Sequence, residues 1–160
     1  MVLDPSLWAS GLTFSGFLAL SRKRALLEEF YARSPGTPLP EGVAFVLALV
    51  EDWCPDCQQA IPVLAKAAGE RARFFLRDQN PHLREAYRLG EKRIVPTFVF
   101  LDGGFRELAR WYGPPQAARA FLQEARGRLA GRALLEAYHA RFPQWAEAMR
   151  EEWARLLNPP

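Results

Sequence analysis

Val43-Ala44-Phe45-Val46-Leu47-Ala48-Leu49-Val50-Glu51-Asp52-Trp53-Cys54-Pro55-Asp56-Cys57 joins an unbroken apolar run to the only two cysteines of the chain. The run has the length and valine content of a strand, and its lack of alternation suits a central strand buried on both faces. Pro55 falls at what would be the first helical position, where a missing N–H costs nothing. A helix is therefore expected from there to about Ala68, closed by Gly69. The two thiols then lie between the carboxyl end of a strand and the N-terminus of a helix, where open α/β sheets place their sites.

Working outward, Arg73-Phe74-Phe75-Leu76-Arg77 reads as a second strand, followed by a turn at Asp78-Gln79-Asn80-Pro81 and a helix ending near Leu89-Gly90. Pro96-Thr97-Phe98-Val99-Phe100-Leu101 is a third strand. Asp102-Gly103-Gly104 is a hairpin turn, with Glu107 to Tyr112 returning as a fourth. Gly113-Pro114-Pro115 opens a helix to about Leu129. Before the first strand, Thr13 can cap a helix running to about Arg33, and the proline-rich stretch from Ser34 to Pro40 ends it. After the core, Leu135, Tyr138, Phe142, Trp145, Met149, Trp153 and Leu156 form a stripe at helical spacing, expected to pack on the protein's own core. Pro143 should start a second helix in this stretch rather than interrupt one. The division expected is 1–40 as an N-terminal helical extension, 41–129 as the core and 130–160 as a C-terminal helical extension, in one compact domain. Right-handed crossovers make the first two strands parallel, and the hairpin adds an antiparallel pair.

With 49% apolar and 24% charged residues in 160, the chain has the composition of one soluble domain. The net charge of +3 is too small to drive phosphate binding, and the arginines are scattered among glutamates, so no nucleic-acid partner is expected. Met1-Val2-Leu3-Asp4-Pro5 lacks a basic leader, and the mildly apolar stretch 12–20 is broken by Thr13, Ser15 and Gly16. No signal peptide or membrane span is read there, and a cytoplasmic location is the expectation. In that compartment a CxxC is more often catalytic or metal-binding than a structural crosslink.

Chemistry follows from the spacing. Two thiols three apart close a short loop and open again, a reversible couple. Cys54, at the helix N-cap, faces unpaired N–H groups and the positive end of the helix dipole, so it is the expected nucleophile and the more exposed thiol. Cys57, one turn in, is the resolving thiol. Glu51, Asp52 and Asp56 oppose the Cys54 thiolate. This predicts a reducing couple, near the roughly −270 mV of thioredoxin and far from the roughly −120 mV of strong oxidants. A zinc site is the weaker reading, because only His82 and His139, both read as surface residues, are present to complete four ligands.

Trp53-Cys54-Pro55-Asp56-Cys57 after a hydrophobic strand, Arg77-Asp78-Gln79-Asn80 after the next, Ile94-Val95-Pro96-Thr97 at the hairpin and Arg110-Trp111-Tyr112-Gly113-Pro114-Pro115 at its end together resemble the thioredoxin superfamily. The likeness is greatest to a bacterial cytosolic thioredoxin-like family with a W-C-x-D-C centre, and it spans about 43–126. It implies an α/β fold, a thioredoxin-like three-layer α/β/α arrangement on a mixed four-stranded sheet, with extra N- and C-terminal helices. It implies that Pro96 is cis and faces the dithiol, exposing the backbone of Val95 to an extended substrate, with Trp53 as a substrate-facing aromatic. Trp111 is expected to pack at the sheet edge. The buried acid that thioredoxins carry six residues before the first cysteine is Ala48 here, leaving Glu51, Asp52 or water for proton transfer. The function implied is thiol–disulfide oxidoreduction, as a disulfide reductase, with no metal and no cofactor beyond the redox-active Cys54–Cys57 disulfide. Its substrate would be a disulfide-bearing protein or a small thiol, and a reductase would restore the dithiol. No membrane is involved, and the chain is a monomer or weak homodimer. The alternative is a redox-sensing binding or adaptor module without general turnover.

Overall fold

The computed structural model describes residues 2–158. Its centre is β1 (Phe45–Val50), whose side chains alternate between two apolar layers. Val46, Ala48 and Val50 enter the larger core, while Leu47 and Leu49 enter a smaller one on the opposite face. This explains the continuous apolar run: a strand covered on both sides has no solvent face to mark with polar residues. β1 pairs in parallel with β2 (Ala72–Leu76) and antiparallel with β3 (Thr97–Leu101), and β3 pairs antiparallel with β4 (Glu107–Tyr112). The sheet order is β2-β1-β3-β4, a four-stranded mixed sheet within an α/β fold, as expected.

The N-terminal region holds three helices where one was expected: α1 (Pro5–Ala9), α2 (Phe14–Leu20) and α3 (Arg24–Arg33). Thr13 caps α2 as anticipated, its hydroxyl accepting from the Gly16 N–H at 3.1 Å. The continuous helix from Thr13 to Arg33 does not form, because Asp52 takes the links that would extend it. Its Oδ2 accepts from the Ser21 hydroxyl at 2.8 Å and from the Arg22 N–H at 3.1 Å. Ser21 is accordingly extended.

α4 (Pro55–Ala68) runs beneath the sheet, buried along most of its surface. It ends at Gly69, whose φ of 58° a residue with a Cβ adopts only at a cost. Pro62 lies inside it and cannot donate to the Gln58 carbonyl, yet the helix continues because burial on several sides over-determines its path. α5 (Pro81–Ala86) is shorter than expected, since the chain leaves it for a tight turn at Gly90 in which Leu89 and Lys92 pair. α6 (Gln116–Ala125) likewise stops short of Leu129.

α7 (Gly131–Ala140) and α8 (Phe142–Leu157) divide at Pro143, which occupies the first turn of α8. The apolar stripe is buried at Tyr138, Phe142, Trp145, Met149 and Trp153, while Leu135 and Leu156 stay exposed. Trp153 reaches the sheet, with ring centroids 5.6 Å from Phe98 and 5.4 Å from Trp111. Glu152 accepts the Trp111 indole N–H at 2.8 Å and the Gln116 N–H at 2.7 Å, tying α8 to the end of β4 and the start of α6. Trp111 is thus a buried packing residue. No helix among the described residues is long and apolar enough to cross a membrane.

Candidate active site

The end of β1 delivers Glu51-Asp52-Trp53 to a loop that Gln58 locks from inside α4, its side-chain amide donating to the Asp52 carbonyl at 2.9 Å. Cys54 then caps α4 with extended backbone, and no side chain competes for the N–H groups of the first turn. Both cysteines are free thiols close to each other, with no disulfide between them. Cys54 is 8% exposed and Cys57 fully buried, the order of accessibility a nucleophile and a resolving thiol require.

Electrostatics separate the two sulphurs. The Cys54 thiol is held below its ordinary value near 9.0, chiefly because the Cys57 thiol donates to it and stabilises its anion. Burial and the charge of Asp56 work against that, and backbone N–H groups of Asp56 and Cys57 assist it. Cys57 is pushed well above 9.0, first by burial and then by its role as donor to Cys54. The acidic flank therefore acts with the expected sign but through Asp56 alone, and the dithiol's own hydrogen bond outweighs it. Asp52 is turned to Ser21 and Arg22, and the buried Glu51 accepts the Asp78 N–H at 2.9 Å.

The remaining expected site residues gather around Cys54. The Val95–Pro96 peptide is cis, both residues are buried, and the Val95 carbonyl lies 3.9 Å from the Cys54 sulphur. Trp53 is 57% exposed beside the dithiol, with the Arg77 guanidinium 5.7 Å from its ring centroid. It is not a core residue. Ala48 is fully buried, so no acid stands at that point of β1. His82 is exposed, but His139 is partly buried with its ring edge-on to Phe30, which corrects its reading as a surface residue. Among the described residues, no group of three or more His, Cys, Asp or Glu side chains is placed to hold a metal ion.

Two contributors had no local signature. Gln58 locks the loop from within a helix whose buried face looks merely apolar. Tyr138, read only as one member of an apolar stripe, donates its hydroxyl to Asp56 Oδ1 at 2.6 Å.

A parallel–antiparallel sheet with a dithiol at the N-cap of the following helix and a cis proline against it defines a thioredoxin-like fold. Residues 38–126, more than half of the chain, match the family model described as thioredoxin, and the chain belongs to that family. No curated protein matches it. Among solved structures it is similar to a protein of unknown function from Pseudomonas aeruginosa, at 21% identity and a TM-score of 0.68, covering 98% of each chain. It is also similar to an HIV epitope scaffold at 20% identity and a TM-score of 0.63, covering 93% of this chain and 94% of that one. These likenesses extend the shared fold over the terminal helices that the family model leaves out.

Proposed function

We propose that this protein is a thiol–disulfide oxidoreductase working as a disulfide reductase. The observation that carries the reading is the asymmetry of the dithiol: a marginally accessible thiol at a helix N-terminus, acidified by a buried partner of raised pKa. The Cys54 thiolate attacks one sulphur of a substrate disulfide. That S–S bond breaks, and the leaving sulphur takes up a proton. Cys57 then gives up its proton and attacks the Cys54 sulphur, releasing the second substrate thiol and leaving a Cys54–Cys57 disulfide. Two electrons have passed to the substrate, and a separate reductase returns them.

Trp53 and the Val95–Pro96 backbone would hold an extended segment of the substrate across Cys54, either a disulfide-bearing protein or a small-thiol disulfide. Both expected proton acceptors hold other partners, Glu51 the Asp78 N–H and Asp52 the N-terminal loop; Glu51 is the one retained, because it is buried and its backbone reaches Cys57. The W-C-x-D-C resemblance supports a cytoplasmic location, and the Asp56 charge, which disfavours both thiolates, supports a couple on the reducing side.

Insulin reduction by the purified protein tests the reading. Activity should vanish in Cys54→Ser, and Cys57→Ser should accumulate a mixed disulfide on Cys54. Glu51→Gln should slow insulin reduction more than Asp52→Asn does. A redox-sensing module is the second reading, favoured by the bond between Asp56 and the C-terminal helix. It predicts redox-dependent association with no turnover of insulin, and that result would overturn the first.

A further inference from the structure

Asp56 lies between the two cysteines, on the first turn of α4, with its carboxylate directed at α7. Tyr138, which donates to it at 2.6 Å, is 82 residues away in sequence and only 3% exposed. The phenol ring is held in place. Phe121 lies parallel to it at 6.5 Å, and Trp145 packs at 5.8 Å while donating its indole N–H to the Tyr138 carbonyl at 2.8 Å. Arg119 on α6 and Arg126, the residue just after that helix, act on the same carboxylate by their charge. Pro55, Asp56, Arg126 and Tyr138 share a pocket of about 340 Å³ with leucines of α6 and α7.

The charged or titratable groups that act on or feel Asp56 are Cys54 at the cap of α4 and Cys57 within it, Tyr138 from α7, Arg119 from α6 and Arg126 just after α6. Glu51 and Asp52 are engaged elsewhere. Asp56 is the carboxylate whose charge both sulphurs feel. Burial is the largest influence and raises the Asp56 carboxyl above its ordinary value, while the Tyr138 hydroxyl and the two arginines work against that and favour the carboxylate.

We infer that α7 tunes the dithiol: Tyr138 clamps Asp56 as a carboxylate beside Cys54, and this pair of positioning residues sets how readily the Cys54 thiolate forms. The proposal rests on the dithiol being redox-active and adds a control that comes from outside the family-matched residues 38–126. An ionised neighbour opposes the thiolate, so removing its charge must make the thiolate easier to form. Removing the Tyr138 hydroxyl lets Asp56 protonate more readily, which acts in the same direction but less.

The test is the pH dependence of thiolate absorbance at 240 nm in the reduced full-length protein, read at the first of the two thiol steps, with no turnover involved. Asp56→Asn should raise the apparent acidity constant by about three- to tenfold. Tyr138→Phe should raise it by a smaller factor, and its effect should disappear in the Asp56→Asn background. Asp56→Glu, which keeps the charge, should stay near the parent. A merely structural pair would shift the unfolding midpoint and leave the titration where it was. An unmoved or lowered acidity constant in Asp56→Asn overturns the proposal. So does a Tyr138→Phe effect that persists undiminished in the Asp56→Asn background. A protein that titrates as expected but fails to reduce insulin would refute the reductase reading alone.

Discussion

Replacing Trp153 by alanine tests whether the last helix is part of the core or an accessory to it. Trp153 is 1% exposed, and its ring meets Phe98, Phe100 and Trp111 with centroids 5.4–6.0 Å away. A tryptophan removes roughly 150–250 Å² from water. At about 25 cal/mol per Å² that is about 4–6 kcal/mol, an upper bound because the unfolded chain already buries part of it. The indole N–H has no hydrogen-bond partner, and its desolvation offsets about 1–3 kcal/mol. The expected net loss is about 3 kcal/mol, within the range of large aromatic truncations. For a chain of this size that lowers Tm by roughly 6–12 °C. Urea unfolding followed by far-UV circular dichroism is the suitable assay, because fluorescence would mix five tryptophans. Trp153→Phe keeps an aromatic ring in the site and deletes the unpaired N–H, so it should cost less than about 1.5 kcal/mol. A loss below about 1 kcal/mol in Trp153→Ala would refute the placement of α8 against the sheet.

Alkylation with iodoacetamide at neutral pH should label Cys54 first and leave Cys57 unmodified until the chain is unfolded, as mass spectrometry of peptides would show. Its rate should rise through a midpoint below 9.0 and then level off. Gly11→Ala should destabilise by about 1–3 kcal/mol, since an added Cβ would lie 2.5 Å from the Phe75 ring; an unchanged urea midpoint would contradict that close approach. Stability of the reduced form should depend on pH in two opposed ways. The lowered Cys54 adds stability that is complete above the unfolded thiol value and is lost as pH falls through its folded one. The raised Cys57 adds stability that is complete below the unfolded value and is lost as pH rises toward its folded one. Relative to the oxidised form, which has neither thiol, urea midpoints of the reduced form should therefore climb toward pH 9 and decline beyond it.

Elements whose causes are local were legible in the sequence. β1 announces itself by eight consecutive apolar residues, α4 by Pro55 and Gly69, and β4 falls at Glu107–Tyr112 as read. α1 also had a local signal, Asp4 before Pro5, in which the carboxylate accepts from the Ser6 N–H at 2.9 Å. What stayed hidden depends on partners distant in the chain. Nothing near Ser21 says that Asp52, about thirty residues on, will break the helix there. Nothing near Asp56 says that a tyrosine from the apolar stripe will meet it. The paired thiols at the start of α4 and the cis proline were readable because spacing and family likeness mark them. The electrostatic balance was not, because it depends on which carboxylate turns toward the sulphurs.

The smaller core on the far face of the sheet bears on the order of folding. Leu3 and Trp8 lie there against Leu47, Leu49, Phe75, Val99 and Leu101, and the Leu3 N–H donates to the Phe105 carbonyl at 2.9 Å. This early segment therefore docks partly on residues made about a hundred positions later, and closing so long a loop defers its reward. Until the β3–β4 hairpin is in place, that apolar face of the sheet lacks Val99, Leu101 and Phe105 and has only part of its cover. A chain still emerging from the ribosome thus leaves Leu47, Leu49 and Phe75 incompletely covered, the kind of apolar surface that makes folding intermediates prone to aggregate.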